Sequence, residues 1–407
     1  MDILFVHKFY FMCGGAERYL FETKDLLERH GDRVIPFSLQ HPQNVESPYQ
    51  EYFLPEVELT MAGKSLGEKL RLGMNAIWWP EAARKVEALI QETRPAVAHL
   101  HNIHNHISPS FLPVLRKAGI PIVQTLHDHQ LICPHWRLFA HGERCERCKP
   151  HRYYMTTLHN CKDSRPASLL ASVEAYVHHW SGVFERNVAR FIAPSHYLRD
   201  KFIEFGMPGD QITVIPHFVD TTRYPANFEP GDEVLYTGRL NEGKGVATLI
   251  RAMARIPHVR LRILGDGHLR ADLEKLRAEL KADNVTFGGW LDGSKFYEEV
   301  ARSKFVVIPS EGAESFGLAA LEAFALGKPV VSTNSGGLAE VVDEGETGYT
   351  CPPGDPEALA EKIDLLARDH GKIRAMGRLA RERTAARYAP ARHLEALRSL
   401  YAQVMDR

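Results

Sequence analysis

Two carboxylates and two cations carry the most specific chemistry in this chain. Glu314 stands just before a helical run and Glu322 lies within it. At about 1.5 Å rise per residue the two end roughly 12 Å apart. That is too wide to share a proton, but suited to gripping two hydroxyl-bearing ends of one extended ligand. Phe316, Gly317 and Leu318 open the helix between them, where free amides favour an anionic group. Upstream, Gly238-Arg239-Leu240-Asn241-Glu242-Gly243-Lys244-Gly245 follows a strand and leads into a helix. Arg239 can fork onto phosphate oxygens and Lys244 can add a point charge. The segment is not a P-loop, because G-x4-G-K-[ST] does not occur. Taken together these groups suit a sugar nucleotide, with its hydroxyls, diphosphate and ribose. Taken singly, the acidic stretch also reads as a solvated helix start.

Further candidates sit where strands end. Gly14 and Gly15 follow the first strand and open a helix, so backbone there can approach a ligand closely, although a glycine pair is often only a turn. His101-Asn102 and His127-Asp128 each follow a buried strand, the edge at which open α/β sheets place ligands. Asp266, in Gly265-Asp266-Gly267, is placed likewise. Ten of the 21 histidines fall between His99 and His159. In the same region Cys133, Cys145, Cys148 and Cys161 are spaced C-x11-C-x2-C-x12-C. That spacing is compatible with a structural tetrahedral zinc site, with a redox pair at Cys145/Cys148, or with plain thiols.

The elements that must hold these groups alternate twice along the chain. Strands are expected at 3–6, 34–37, 96–100, 121–126, 188–193 and 212–215, with helices between them. After a Pro- and Gly-containing linker the pattern restarts with strands at 234–236, 259–264, 285–287, 305–308 and from 330. This predicts an α/β chain of two doubly wound domains with a cleft between them. The first spans 1–220 with an irregular Cys-rich insertion at about 130–164. The linker is 221–231, the second domain 232–387, and a closing helix at 388–407 turns back toward the first domain.

Composition narrows the classes. The chain has 407 residues, 44% apolar and 25% charged, with a formal net charge of −1. Those values fit an ordinary globular protein and give no basic excess for nucleic acid. No apolar run approaches the roughly 20 residues that span a bilayer. The first residues read as a strand rather than a signal peptide, so a reducing cytoplasm is expected. The stretch Lys64 to Trp79 sets Lys64, Lys69 and Arg71 beside Leu70, Ile77 and Trp78. It reads either as a helix packed on its own domain or as a surface for peripheral contact with the inner membrane face.

In this combination and order the motifs resemble glycosyltransferase family 4, retaining enzymes of the GT-B fold also described as glycosyl transferases group 1. The matching residues are Gly14-Gly15-Ala16-Glu17, His101-Asn102, His127-Asp128, Pro194-Ser195, the Gly238 to Gly245 segment, Gly265-Asp266-Gly267, Glu314-x7-Glu322, Ser335-Gly336-Gly337 with Glu340, and Gly345 with Gly348. The resemblance implies that Arg239 and Lys244 hold the donor diphosphate, Glu322 the ribose and Glu314 a sugar hydroxyl. Gly14, Gly15, Gly238, Asp266 and the amides of Phe316, Gly317 and Leu318 would complete the donor site, with His127 against the sugar. It implies a hexosyltransferase of polysaccharide biosynthesis taking a UDP- or GDP-sugar to a glycan or lipid-linked acceptor. No catalytic metal is expected; no D-x-D sequence occurs, and cations would take the metal's place. The alternatives are a GT-B sugar-nucleotide epimerase or phosphorylase, or an inactive zinc-stabilised scaffold.

Overall fold

The computed structural model describes residues 1–57, 65–291 and 293–406. Lys64, at the head of the basic stretch, lies outside them. The chain divides into two compact units. The first comprises Met1–Trp136, Glu146–Ile215 and Leu394–Arg407, and the second Arg137–Cys145 and Pro216–His393.

The strands in chain order are β1 (Asp2–Val6), β2 (Arg33–Phe37), β3 (Val97–Leu100), β4 (Ile122–Thr125), the short β5 (Phe139–Ala140) and β6 (Glu143–Arg144), β7 (Arg190–Ala193) and β8 (Ile212–Val214). The second unit continues with β9 (Glu233–Thr237), β10 (Arg260–Leu264), β11 (Val285–Gly289), β12 (Val306–Ile308), β13 (Val330–Thr333) and β14 (Gly348–Cys351). The first unit holds a six-stranded sheet in the order β2-β1-β3-β4-β7-β8, and the second one in the order β11-β10-β9-β12-β13-β14. Every pairing in both is parallel. Near-continuous apolar runs explain this. Ile3, Leu4, Phe5 and Val6 are buried, as are Val306, Val307 and Ile308, and strands covered by helices on both faces need no polar side.

Each sheet has a switch point where its strand order reverses, between β1 and β3 in the first and between β9 and β12 in the second. Loops leaving neighbouring strands there diverge to opposite faces and open a crevice for ligand. Gly14, His101, Arg239, Lys244 and Glu314 lie on those loops, while His127 and Asp266 follow the adjacent strands β4 and β10. In the second unit the helix Leu318–Ala325 buries Ala320, Leu321, Ala323 and Phe324, which fixes the loop before it.

Three elements differ from the sequence reading. Gly348–Cys351 is a full edge strand, although it opens on a glycine; a β-carbon there would lie 1.9 Å from the Val330 carbonyl oxygen. The helical stretch before the strand at 188–193 is split at Gly182 into Arg165–Ser181 and Val183–Asn187. Inside the insertion, β5 and β6 form a hairpin whose turn residues His141 and Gly142 have φ of 54° and 79°. Left-handed backbone at both positions is the condition for the tight turn that matches strand twist.

The last helix, Pro390–Met405, buries Leu397, Leu400, Tyr401 and Val404, and its residues from Leu394 onward belong to the first unit. Tyr401 Oη lies 2.6 Å from His99 Nδ1, and His99 Nε2 lies 2.7 Å from Thr125 Oγ1. Tyr401→Phe strips one partner from a fully buried imidazole, so it should lower unfolding stability by about 1–2 kcal/mol. Urea denaturation reads this directly; an unchanged midpoint would show that the bond does not hold the helix.

Candidate active site

In the second unit, β9 ends at Thr237 and the chain crosses Gly238 and Arg239, which is exposed, before Leu240 is buried. Tyr236, buried on β9, donates its hydroxyl to the Arg239 carbonyl at 3.1 Å and so fixes the loop from beneath. Gly245, with φ of 69°, starts the helix Val246–Arg255. A β-carbon at Gly245 would lie 1.8 Å from the Pro309 carbonyl oxygen, so only glycine lets the loop after β9 touch the loop after β12. A β-carbon at Gly265 would likewise lie 1.9 Å from the Gly238 carbonyl oxygen. Three strand exits thus meet backbone to backbone.

That convergence brings Lys244 to Glu314. The ammonium lies 2.8 Å from Oε1, the two side chains being 35% and 21% exposed. The Ser310 hydroxyl donates to the same oxygen at 2.5 Å. Glu314's backbone is held as well. Gly337 N–H donates to its carbonyl at 2.8 Å, and a β-carbon at Gly336 would lie 2.2 Å from that oxygen. The Ser335-Gly336-Gly337 motif is therefore the seat on which Glu314 rests. Burial, and then the Glu314 charge, push the Tyr236 hydroxyl well above its ordinary pKa, so it stays a donor.

Gly317, at φ of 125°, precedes the helix Leu318–Ala325, which has no side-chain cap at its start. Phe316 is buried and packs edge-on to His217 and Tyr388, at ring-centroid distances of 5.3 and 5.7 Å, so its ring is structural and only its backbone faces the helix opening. Glu322 is half-buried on that helix. Asp266 is exposed, and its carboxylate accepts the Gly267 N–H at 2.8 Å, closing its own turn. Glu242 accepts from His268 at 2.8 Å and from Arg137 at 3.0 Å. The His268 bond, with Arg137 adding to it, holds its carboxyl down to about 2.

In the first unit, Gly14 is extended and precedes the helix Gly15–Arg29, whose first turn buries Glu17. Glu17 Oε1 lies 3.4 Å from Nε2 of the buried His7 at the end of β1. His101 after β3 and His127 after β4 approach at 3.0 Å, Nδ1 to Nε2. His99 stacks on His101 at 4.4 Å, and Tyr19 stands edge-on to both His101 and His127. A nitrogen pair this close holds one proton between two neutral rings. Burial pushes His127 down to about 3 and His104 likewise, and His106 to about 4, so this edge presents neutral imidazoles at pH 7. Burial also raises Asp128, which accepts the Gln130 N–H at 2.9 Å.

The zinc expectation finds no support. Among the described residues no group of three or more His, Cys, Asp or Glu side chains is placed to hold a metal. Cys133, Cys148 and Cys161 are buried in the first unit, Cys145 belongs to the second, and Cys148 Sγ lies 3.5 Å from Thr156 Oγ1. Spacing along the chain did not translate into convergence. Sequence reasoning also missed Tyr236 and Ser310 as supports of the acidic loop, and gave Ser335 only as part of a motif.

Comparison with known proteins agrees with this geometry. Residues 13–223 match the family model described as Glycosyltransferase Family 4, and residues 222–383 the one described as Glycosyl transferases group 1. A glycogen synthase of Mycobacterium tuberculosis is 33% identical over 240 residues, covering 56% of this chain and 58% of that protein. The chain thus spans a little over half the length of that relative. Among solved structures, sucrose-phosphate synthase from Thermosynechococcus elongatus superposes with a TM-score of 0.74 at 22% identity, covering 100% of this chain and 99% of the other. Anabaena HepE in complex with UDP-glucose superposes at 0.68 with 20% identity, covering 99% and 100%. At these identities the likeness is one of fold, the GT-B class that the family resemblance implied.

The neutral histidines make a prediction about acid. In the unfolded chain each takes a proton near pH 6.5, but folded His127 does so only near 3. Stability is therefore full above about pH 6.5 and falls as pH drops below it, by up to about 1.4 kcal/mol per unit for each such group. The denaturation midpoint should fall steadily from pH 7 to 5. His127→Asn should flatten that slope by one histidine's share, and an identical slope would show that His127 titrates normally in the folded state.

Proposed function

The chain belongs to glycosyltransferase family 4, and we propose that it is a retaining, metal-independent hexosyltransferase acting on a nucleotide-diphosphate sugar. The observation that carries this reading is the Lys244–Glu314 pair at 2.8 Å, set at the switch point beside an uncapped helix start. Cation, carboxylate and free amides are what a diphosphate joined to a sugar requires. UDP- and GDP-sugars are the proposed donors, and a glycan or a lipid-linked saccharide the acceptor class.

In the proposed reaction the bond between the anomeric carbon and the phosphate oxygen breaks, and the nucleoside diphosphate leaves with the electron pair. The acceptor hydroxyl oxygen bonds to the same face of that carbon, and its proton passes to the leaving phosphate. Lys244 and Arg239 lower the barrier by neutralising charge as it develops on that oxygen. The amides of Phe316, Gly317 and Leu318 serve phosphate and sugar, Glu314 a sugar hydroxyl and Glu322 the ribose. His127, neutral at working pH, would offer the sugar a hydrogen bond and not a charge.

The acceptor side has support of its own in the first unit. Exposed large apolar side chains concentrate on neighbouring helices: Leu70 and Met74 on Leu66–Ile77 with Trp78 just past its end, and Leu169, Val173, Val177 and Trp180 on Arg165–Ser181. Gly73 packs on Leu170, and His178 Nε2 lies 2.8 Å from the Ile77 carbonyl, so the two stripes run side by side. Lys69, Arg71 and Arg165 are exposed on the same helices. Apolar side chains, two tryptophans and a cationic rim match an anionic bilayer surface, which would present a lipid-linked acceptor at the inner membrane face of the cytoplasm. No described helix is long and apolar enough to cross a membrane.

Nucleoside diphosphate release from UDP-, GDP- and ADP-sugars should appear with one donor and vanish in Glu314→Ala. Lys244→Ala should lose about 100-fold or more in turnover with its fold intact; near-normal activity would remove the lysine from the diphosphate site. For the surface, sedimentation with phosphatidylglycerol vesicles should fall several-fold in Trp180→Ser/Met74→Ser. Equal sedimentation of variant and parent would refute bilayer contact through these helices.

A further inference from the structure

The Cys-rich insertion contributes a piece to the second unit, and that piece stands over the loops carrying Lys244 and Glu314. The hairpin 137–145 is grouped with the second unit although the chain on either side belongs to the first. It is short, yet Leu138, Phe139 and Ala140 are buried. Phe139 covers two glycines: a β-carbon at Gly243 would lie 3.5 Å from its ring, and one at Gly312 would lie 3.7 Å from its Cβ. Arg144 bridges the acidic loop and its seat, with Nε donating to the Glu311 carbonyl at 3.1 Å and Nη2 to the Ser335 hydroxyl at 2.8 Å. Ser335 passes the bond on to the Gly312 carbonyl at 2.5 Å. Gly243, under Phe139, accepts from the amides of both Glu311 and Gly312 at 2.8 Å. At the other end Arg137 pairs with Glu242, one residue before Gly243.

These contacts form a closed circuit. The lysine loop (241–245) and the carboxylate loop (310–314) are bonded to each other through Gly243, and the hairpin is bonded to both. The backbone is bent to allow it: Trp136 and Leu138, neither a glycine, take φ of 62° and 47°. Such backbone is strained for a non-glycine residue and persists where surrounding contacts fix it.

We propose that the hairpin 137–145 is a donor-site element, and that Arg144 is a positioning residue that sets the carboxylate loop against the lysine loop. This rests on the donor-site reading of the second unit. Nothing in the hairpin need touch the reacting atoms. Its effect is on how well the site is formed before the sugar nucleotide arrives, and so on donor affinity more than on the chemical step.

Two measurements on the full chain test this. In hydrogen exchange without ligand, Arg144→Ala should speed exchange in segments 241–245 and 310–314 and leave the first unit's sheet unchanged; unaltered exchange in both loops overturns the proposal. In steady-state turnover the same variant should raise donor KM at least fivefold with kcat within about twofold and acceptor KM unchanged. Arg144→Lys should recover part of that loss. Ser335→Ala should reproduce the effect, and the double variant should be no worse than either single one, since both break one bridge. An unchanged donor KM, or a fall confined to kcat, overturns the positioning role. A parent chain that neither binds UDP or GDP nor turns over any donor would instead sink the donor-site reading, while the exchange result would still decide whether the hairpin orders the two loops.

Discussion

The arrangement of the second unit depends on one steric fact, the contact of Gly245 with the carbonyl of Pro309. Neighbouring strands β9 and β12 send their chains to opposite faces of the sheet. Their loops would stay apart unless something let the backbones touch. A side chain at 245 would overlap the Pro309 oxygen, at 1.8 Å from its β-carbon. With glycine there, the helix Val246–Arg255 starts against the loop after β12, and the residue before it, Lys244, is delivered to Glu314. The left-handed φ at 245 is accessible to glycine without strain. One small residue thus sets the distance between the two charges on which the proposed chemistry relies.

The first unit solves the same problem with aromatic nitrogen instead of charge. Its switch point sits between β1 and β3, and His7, His101 and His127 stand at the ends of β1, β3 and β4. Burial makes the imidazolium form costly at His7 and His127, so His127 meets His101 at hydrogen-bond distance without repulsion. Such a cluster can accept and donate without carrying charge.

The strands were legible because buried parallel strands are written as short, almost unbroken apolar runs such as Ile3–Val6 and Val306–Ile308, and helices as 3.6-residue periodicity closed by glycine. The glycines before helices were legible as places of close approach, although only the coordinates tell which carbonyl each one meets. The hairpin was not legible. Strands of two residues, Phe139–Ala140 and Glu143–Arg144, are too short to show alternation, and nearby cysteines suggested a metal in their place. Bonds such as Arg144 to Ser335 join residues far apart in sequence, and no local pattern records them. Glu242 shows the converse case: it was read as part of a phosphate loop, while the fold uses its carboxylate to hold Arg137 and His268.

The ion pair between Lys244 and Glu314 is also the right strength for a site that must exchange partners. Both side chains are partly exposed, so water screens the pair and its contribution to stability is on the order of 1 kcal/mol or less. A buried pair would resist opening, and an unpaired lysine would wander through its rotamers at an entropic cost to binding. A weak pair avoids both. Glu314 keeps the ammonium near the place where phosphate is proposed to bind. On the proposed donor reading, a doubly charged diphosphate would displace a single carboxylate already satisfied by Ser310, and the backbone seat on Gly336 and Gly337 would keep Glu314 in place for the sugar. The pair would then be a placeholder for the donor, with the surrounding glycines, serines and hairpin holding its two halves while they change partners.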